Sequence, residues 1–309
     1  MFSQKFVTLC TNYQIESPMQ SLSVLIPTYN DVCVALVEQL LPLLQAADIQ
    51  YEVIVADDGS TDKDTILANR AINQLPSCRF IERQVNVGRA AIRNFLAREA
   101  RYAYLLYIDS DMTIISNLYI QRYLQVGNPT VIDGGVTICD TNDASNLRYL
   151  YEKAEEPRHT ATERQKCPYQ HLHTANLLIQ RDIMLTHPFD ERFRHYGYED
   201  VLLGKVLHQH HIPIEHIDNP LGFSHFETNA EFVAKTEEGL HTLYQFRDDL
   251  RGYSRLITFV SGIHIPLILS LIRLWHRLFR KAERRNLCGS RPSLWVFKLY
   301  RLGYYLFFL

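Results

Sequence analysis

The chain has 309 residues, of which 47% are hydrophobic and 21% charged, with a formal net charge of −2. This is globular composition, long enough for one large α/β domain with an appendage or for two smaller domains. The near-neutral charge argues against a generic nucleic-acid binder, so nucleic acid is not an expected partner. Six scattered cysteines (Cys10, Cys33, Cys78, Cys139, Cys167, Cys288) form no CxxC pair, which excludes a zinc ribbon and a dithiol redox motif and fits a reducing, cytoplasmic compartment. Residues 1–20 show no basic segment leading into an apolar one, so they read as an N-terminal arm rather than a signal peptide.

From residue 21 the chain alternates. A strand over 21–27 ends at Pro27 and a polar loop, Thr28-Tyr29-Asn30-Asp31. A helix follows over 32–47, then a buried strand over 51–56 that runs into Asp57-Asp58-Gly59-Ser60-Thr61-Asp62, a turn and helix N-cap. The pattern then predicts a helix over 64–73, a strand over 78–82, a turn at Asn86-Val87-Gly88, a helix over 89–101 and an aromatic-rich strand over 104–108. Strands and helices in turn, with short connections, imply right-handed crossovers and a mainly parallel sheet. No GxGxxG follows the first strand and no GxxxxGK[ST] occurs anywhere, so neither a dinucleotide-binding domain nor a P-loop is supported. A nucleotide held here would rely on side chains and a metal rather than a glycine cradle.

The fourth strand runs into Asp109-Ser110-Asp111. Residues i and i+2 of a strand share a face, so the two carboxylates aim at one point at the strand's C-terminal end, where open α/β sheets place ligands. Hard oxygen donors of this kind suit Mg²⁺ or Mn²⁺, which also hold substrate phosphates. The plainer alternative is an Asx turn capping a helix. Asp57-Asp58 also follows a strand, so both acidic loops are expected on one edge of the sheet.

Further on, a helix is expected over 116–126 and a strand over 130–138 interrupted by Gly134 and Gly135, such glycines marking close backbone approach. Residues 140–166 read as a polar helical insertion over the site. His171, His173 and Asn176 precede the apolar Leu177-Leu178-Ile179. Gly197-Tyr198-Glu199-Asp200 opens a helix running to His208, and another helix is expected over 230–251. The tail, 251–309, holds an apolar run over 256–272, barely long enough to span a bilayer, and then Arg273, Arg277, Arg280, Lys281, Arg284 and Arg285 interleaved with Leu274, Trp275, Leu278 and Phe279. Basic amphipathic helices with Trp and Phe lie in the membrane interface. The tail is therefore expected to rest on an anionic membrane surface, the alternatives being a transmembrane span, an oligomer interface or a helical cover for the body.

Taken together, Val24-Leu-Ile-Pro-Thr-Tyr-Asn30, Val53-Ile-Val-Ala-Asp-Asp-Gly-Ser-Thr-Asp62, Asn86-Val-Gly88 with Arg93-Asn94, Asp109-Ser-Asp111, and Phe189-Asp-Glu-Arg-Phe193 with Gly197-Tyr-Glu-Asp200 resemble family 2 glycosyltransferases of the GT-A fold, and in the second half their galactosyltransferase-like and chondroitin-polymerase-like branch. The resemblance implies a GT-A domain over 21–250, a mostly parallel sheet with flanking helices, followed by the amphipathic helical tail. It implies that Pro27, Thr28, Tyr29 and Asn30 line a nucleotide pocket, that Asp57 or Asp58 accepts a hydrogen bond from uracil, and that Arg93 approaches the nucleotide, unless Arg93 is a helix-surface ion pair. Asp109 would hold the ribose or a metal-bound water and Asp111 the metal, Mn²⁺ or Mg²⁺, with His225 of Gly222-Phe-Ser-His225-Phe-Glu227 as a further ligand. Asp200 would be the general base beside Glu199, against the reading that both merely favour a helix N-terminus. Gly135, His173, Asn176, Gly197 and Tyr198 would face sugar or acceptor. The implied reaction is inverting transfer from a UDP-sugar to a hydroxyl of a glycan or lipid-linked glycan. A sugar-phosphate nucleotidyltransferase and a non-catalytic glycan-binding scaffold are the competing readings.

Overall fold

The computed structural model describes residues 19–139, 143–223 and 226–309. The arm expected over 1–20 therefore lies almost wholly outside the described residues. The first half alternates as the sequence pattern requires: β1 (Ser21–Thr28), α1 (Val34–Ala46), β2 (Gln50–Asp57), α2 (Lys63–Asn69), β3 (Cys78–Glu82), α3 (Arg89–Glu99) and β4 (Tyr104–Ile108). The second half is more broken: β5 (Met112–Thr113), α4 (Tyr119–Leu124), β6 (Val131–Asp133), β7 (Val136–Ile138), α5 (Leu147–Glu155), α6 (Ala161–Gln165), β8 (Asn176–Gln180), α7 (Arg181–Thr186), α8 (Glu199–Gln209), β9 (Glu215–His216) and β10 (Leu221–Phe223). Four helices close the chain: α9 (Asn229–Gln245), α10 (Arg255–Ser261), α11 (Pro266–Leu287) and α12 (Leu294–Leu306).

Seven strands form the main sheet in the order β3-β2-β1-β4-β8-β6-β9, and β8 alone runs against the others. Alternate residues of its central strands feed opposite faces. Leu25, Ile54, Leu105 and Tyr107 pack on one side, and Val24, Ile26, Val53, Val55, Leu106 and Ile108 on the other. Burial on both faces explains why these strands read as continuous apolar runs rather than alternating ones. A second sheet, β5-β10-β7, stands beside the first.

The single interrupted strand expected over 130–138 is two strands in two different sheets. Gly134 and Gly135 carry the chain from one to the other. A Cβ at Gly134 would lie 2.2 Å from the Tyr123 hydroxyl and 2.5 Å from Asn176 Nδ2, and Gly135 has φ +80°. Close approach and a left-handed backbone together leave glycine as the residue that fits.

Parallel strands put their C-terminal ends on one edge. Thr28, Asp57, Asp109 and Asp133 all meet there, and antiparallel β8 begins there, just after His173 and Thr174. The tail covers the body in part. Leu287 of α11 and Phe297 and Tyr300 of α12 build a third core with Leu147 of α5 and Val233 of α9. On α11 the buried His276 Nδ1 donates to Glu283 Oε2 at 2.8 Å, and Trp275 donates to the same carboxylate. Leu267, Leu271, Leu274 and Leu278, three or four residues apart and so on one face, stay exposed. Among the described residues no helix is long and apolar enough to cross a membrane.

Candidate active site

The edge of the sheet is first shaped by Asn30, held in a left-handed conformation (φ 52°) just after β1. Its side-chain oxygen accepts from the backbone N–H groups of Thr61 (2.8 Å) and Asp62 (3.0 Å), and its own N–H donates to Ser60 Oγ at 2.7 Å. The loop after β2 is thereby tied to the loop after β1. Asp57 accepts from the N–H of Ser60 (2.9 Å) and from its hydroxyl. Asp58 accepts from the N–H groups of Val87 (3.0 Å) and Gly88 (2.9 Å), so it fixes the start of α3. Burial raises the Asp58 pKa against the pull of those two amides. Thr28 is buried and donates to the Asp31 carbonyl, Pro27 is half-buried beside it, and Tyr29 stands exposed at the rim.

Next along the edge is a grid of four charges. Arg93 reaches Asp109 Oδ1 at 2.5 Å and Glu199 Oε1 at 3.4 Å, while Arg89 reaches Asp109 Oδ2 at 3.0 Å and Glu199 Oε1 at 3.1 Å. Arg93 is 1% exposed and Arg89 40%. Arg93 is thus neither a surface ion pair nor free: it forms the buried floor that joins the end of β4 to the start of α8. Burial works against ionisation of Asp109, but the Arg93 and Arg89 guanidiniums hold its pKa below the usual carboxylate range. Asp111 has the opposite balance. It touches solvent, yet the surrounding protein and the Asp109 charge both raise its pKa, with Arg148 and Arg89 pulling back.

The third part centres on Asp133, at the end of β6. It is fully buried and meets Arg164 Nη1 at 3.0 Å, the N–H of His173 at 2.9 Å and that of Gly135 at 2.7 Å. His173 Nδ1 lies 3.3 Å and His216 Nδ1 3.6 Å from the same carboxylate. Burial opposes the charge, but His173, Arg164 and His216 pull Asp133 down to about 2. For His173, burial is outweighed by Asp133 and by the Asp200 charge, so its pKa is raised. Asp200, in the first turn of α8, is pushed up to about 6 by burial and by Glu199, with His173 partly offsetting them.

Gly197 (φ +94°) and Tyr198 (φ 71°) are both left-handed and set the direction in which α8 starts. Tyr198 is hydrogen-bonded to Arg301 of α12, which also donates to the Tyr151 hydroxyl at 3.3 Å. Asn176 does not open to the site: it is 0% exposed, accepts from the Tyr119 and Tyr123 hydroxyls at 2.6 Å each, and donates to the carbonyls of Gly135 and Asn219. Gly135 is backed by the Arg164 guanidinium, 2.6 Å from where its Cβ would be. Arg89, Asp133, Arg148 and Arg164 escaped sequence reasoning. Asp133 had a signal, a carboxylate closing an apolar run just before two glycines. The arginines had none, since each lies far in sequence from its partner.

Two carboxylate oxygen donors, one of them with a pKa raised by burial and by the other, suit a hard divalent ion whose remaining positions come from phosphate and water. Asp109 and Asp111 would hold it. Among the described residues no group of three or more metal-ligating side chains gathers, and His225 lies outside the described residues.

A mostly parallel sheet with flanking helices, with carboxylates after its strands on one edge, defines a GT-A-like α/β fold. The chain belongs to glycosyl transferase family 2, whose model matches residues 23–184. It is 30% identical over 141 residues to a chondroitin synthase of Escherichia coli, covering 44% of this chain and 20% of that protein. It is also 30% identical over 224 residues to a validoxylamine A glucosyltransferase of Streptomyces hygroscopicus subsp. jinggangensis, covering 62% of this chain and 52% of that one. Against a hyaluronan synthase of Pasteurella multocida the identity is 24%, over 80% of this chain and 29% of the relative. The chain thus spans about half or less of the length of these relatives. A mannosyltransferase from Pyrobaculum calidifontis, in complex with GDP-Man and Mn²⁺, shares the fold with a TM-score of 0.52 at 13% identity, over 95% of this chain and 88% of that one.

Proposed function

We propose that this chain is a metal-dependent, inverting glycosyltransferase that moves a sugar from a UDP-sugar to a hydroxyl of a glycan or lipid-linked glycan. The observation that carries the reading is the juxtaposition at the sheet edge: Glu199, next to Asp200, shares both of its arginines with Asp109 of the Asp-Ser-Asp segment. A base of raised pKa is thereby fixed relative to the residues suited to hold a metal-bound diphosphate. The names of the relatives, sugar transferases and glycan synthases, support it.

The loops after β1 and β2, knitted by Asn30, line the nucleotide side. Asp109 and Asp111 would hold Mn²⁺ or Mg²⁺, which when bound offsets charge on the leaving diphosphate. Asp200 takes the proton of the acceptor hydroxyl as its oxygen bonds to the anomeric carbon. The bond from that carbon to the diphosphate breaks, and its electron pair leaves with UDP. Attack from the face opposite the diphosphate inverts the centre. A carboxylate of pKa about 6 is ionised at neutral pH and still basic enough to accept that proton. His173, steered by Asp133 and coupled to Asp200 through its charge, orients the acceptor side.

The test is release of nucleoside diphosphate from a panel of UDP- and GDP-sugars with Mn²⁺ or Mg²⁺, with and without acceptor glycans. Release from one donor, abolished by metal removal and by Asp111→Ala, is the expected result. Pyrophosphate release would point to nucleotidyl transfer instead, and UDP binding without turnover of any donor to a glycan-binding scaffold.

The same reading places the protein peripherally on the cytoplasmic membrane face. Leu267, Leu271, Leu274 and Leu278 would enter the headgroup boundary while Arg273, Arg277 and Arg280 meet anionic lipid, each basic residue contributing about 1 kcal/mol near the surface. Co-sedimentation with phosphatidylglycerol vesicles, weak with phosphatidylcholine and lost in a Leu271→Asp, Leu274→Asp double variant, is expected. Equal binding by the double variant would remove the tail from this role.

A further inference from the structure

Both oxygens of Asp109 already face a guanidinium. Arg93 Nη2 holds Oδ1 at 2.5 Å and Arg89 Nη2 holds Oδ2 at 3.0 Å. A divalent ion on the remaining lone pair of either oxygen would sit against a guanidinium charge, so one arginine has to withdraw. Arg93 cannot give way cheaply: its side chain is 1% exposed, it also donates to the Arg89 carbonyl at 3.2 Å and packs against the Phe189 ring, and leaving would open a hole under the site. Arg89 can. Its side chain is 40% exposed, it sits at the first position of α3, and its second anchor, Glu199 Oε1 at 3.1 Å, is already shared with Arg93. The Tyr196 ring, 5.3 Å from the guanidinium, gives it an alternative surface to lie on.

We propose that Arg89 is a displaceable latch: with no donor bound its guanidinium takes the place of a cation beside Asp109, and on donor binding it exchanges Asp109 for the donor's diphosphate. This rests on the reading of the site as one for a metal-bound nucleoside diphosphate. The charges favour the exchange. Arg89 and Arg93 face Asp109, Glu199 and Asp111, so the empty set is net negative. A divalent ion reverses the sign, and a released guanidinium then faces a diphosphate, an anion its planar fork can grip with two hydrogen bonds. The cation thus competes with Arg89 for Asp109, while the diphosphate recruits the same side chain.

The latch makes metal and nucleotide affinity respond to one substitution in opposite directions. Mn²⁺ binding alone is read from the electron paramagnetic resonance signal of the free ion, and UDP binding in saturating Mn²⁺ by calorimetry, on the native chain, Arg89→Ala and Arg89→Lys. Arg89→Ala is expected to bind Mn²⁺ alone several-fold more tightly than the native chain, because its competitor is gone. It is expected to bind UDP in Mn²⁺ about tenfold more weakly, or worse, because a charge-assisted contact to phosphate is lost. Arg89→Lys should fall between the two on both measures. A residue that only held the site together would weaken both affinities when removed, and an idle one would change neither; either result overturns the latch, as does tighter Mn²⁺ binding with unchanged UDP affinity. Thermal unfolding of each variant shows whether a general loss reflects misfolding, in which case Arg89→Lys carries the test. If the native chain and Arg89→Ala both fail to bind UDP in Mn²⁺, the donor-site reading itself fails and the latch with it. UDP binding by the native chain with no opposed response in Arg89→Ala defeats the latch alone.

Discussion

Asp200→Asn is expected to lower kcat by about 10²–10⁴-fold, the usual contribution of a positioned general base, while the donor KM stays nearly unchanged. The same substitution should make the protein more stable at neutral pH. The Asp200 carboxyl is raised from 3.8 to about 6, chiefly by burial and by Glu199. A carboxyl that is harder to ionise in the folded chain than in the unfolded one costs nothing below about pH 4, where both states are protonated. The cost grows between about pH 4 and 6, and is complete above that. At about 1.4 kcal/mol per pKa unit, the ionised side chain costs the fold up to about 3 kcal/mol. Asparagine removes that charge, so the gain in urea stability should be present at pH 7.5 and absent at pH 4. The native rate should rise with pH through about 6 as Asp200 ionises. A variant with near-native turnover would take Asp200 out of the mechanism, and an equal stability gain at both pH values would show that burial of the charge is not the cause. Loss of activity together with a gain in stability is what a residue kept for chemistry produces.

The parallel half of the fold was legible because it is local. Each apolar run between polar turns became one strand, and β3 and β4 match their expected limits, since burial on both sheet faces leaves an unambiguous pattern. The strand over 130–138 misled because the apolar pattern continues through Gly134 and Gly135 while the chain changes sheets there. What forces the change is contact with Tyr123, Asn176 and Arg164, none of them near in sequence. The same divide runs through the site. Asp57-Asp58, Asp109-Ser110-Asp111 and Glu199-Asp200 stood out as acids at strand ends or a helix start. Asn176 stood out as well, but it serves as a buried hydrogen-bond hub beneath the edge. Arg89 and Arg164 could not stand out, because a basic residue on a helix is ordinary until the fold brings a buried carboxylate to it. Of the tail, the apolar run and the interleaved basic and aromatic residues are legible. That α12 also contributes to a core with α5 and α9, and sends Arg301 to Tyr198 beside the candidate base, depends on packing that composition does not encode.

Arg93→Met is expected to destabilise the protein by about 3–5 kcal/mol at neutral pH, the cost of removing one partner from a buried ion pair. Methionine fills a similar volume, so the loss is mainly electrostatic. The native side chain is 1% exposed and reaches Asp109 at 2.5 Å and Glu199 at 3.4 Å. Without it Glu199, 4% exposed, and Asp109, 16% exposed, keep only the half-exposed Arg89 between them. The network has little slack, for Arg93 Nε and Glu199 Oε2 are already buried without hydrogen-bond partners. Two uncompensated carboxylates lose their cost once protonated, so the deficit of the variant should shrink as pH falls toward 4, the reverse of a packing defect, which would persist. Arg93→Lys should lie between the two: it restores the charge but not the fork that spans both acids. Urea unfolding of the three chains at pH 7.5 and pH 4.5 reads all of this. A pH-independent deficit in Arg93→Met would assign the role of Arg93 to packing against Phe189. An undiminished stability at pH 7.5 would mean that the grid sets the positions of Asp109 and Glu199 without stabilising the fold.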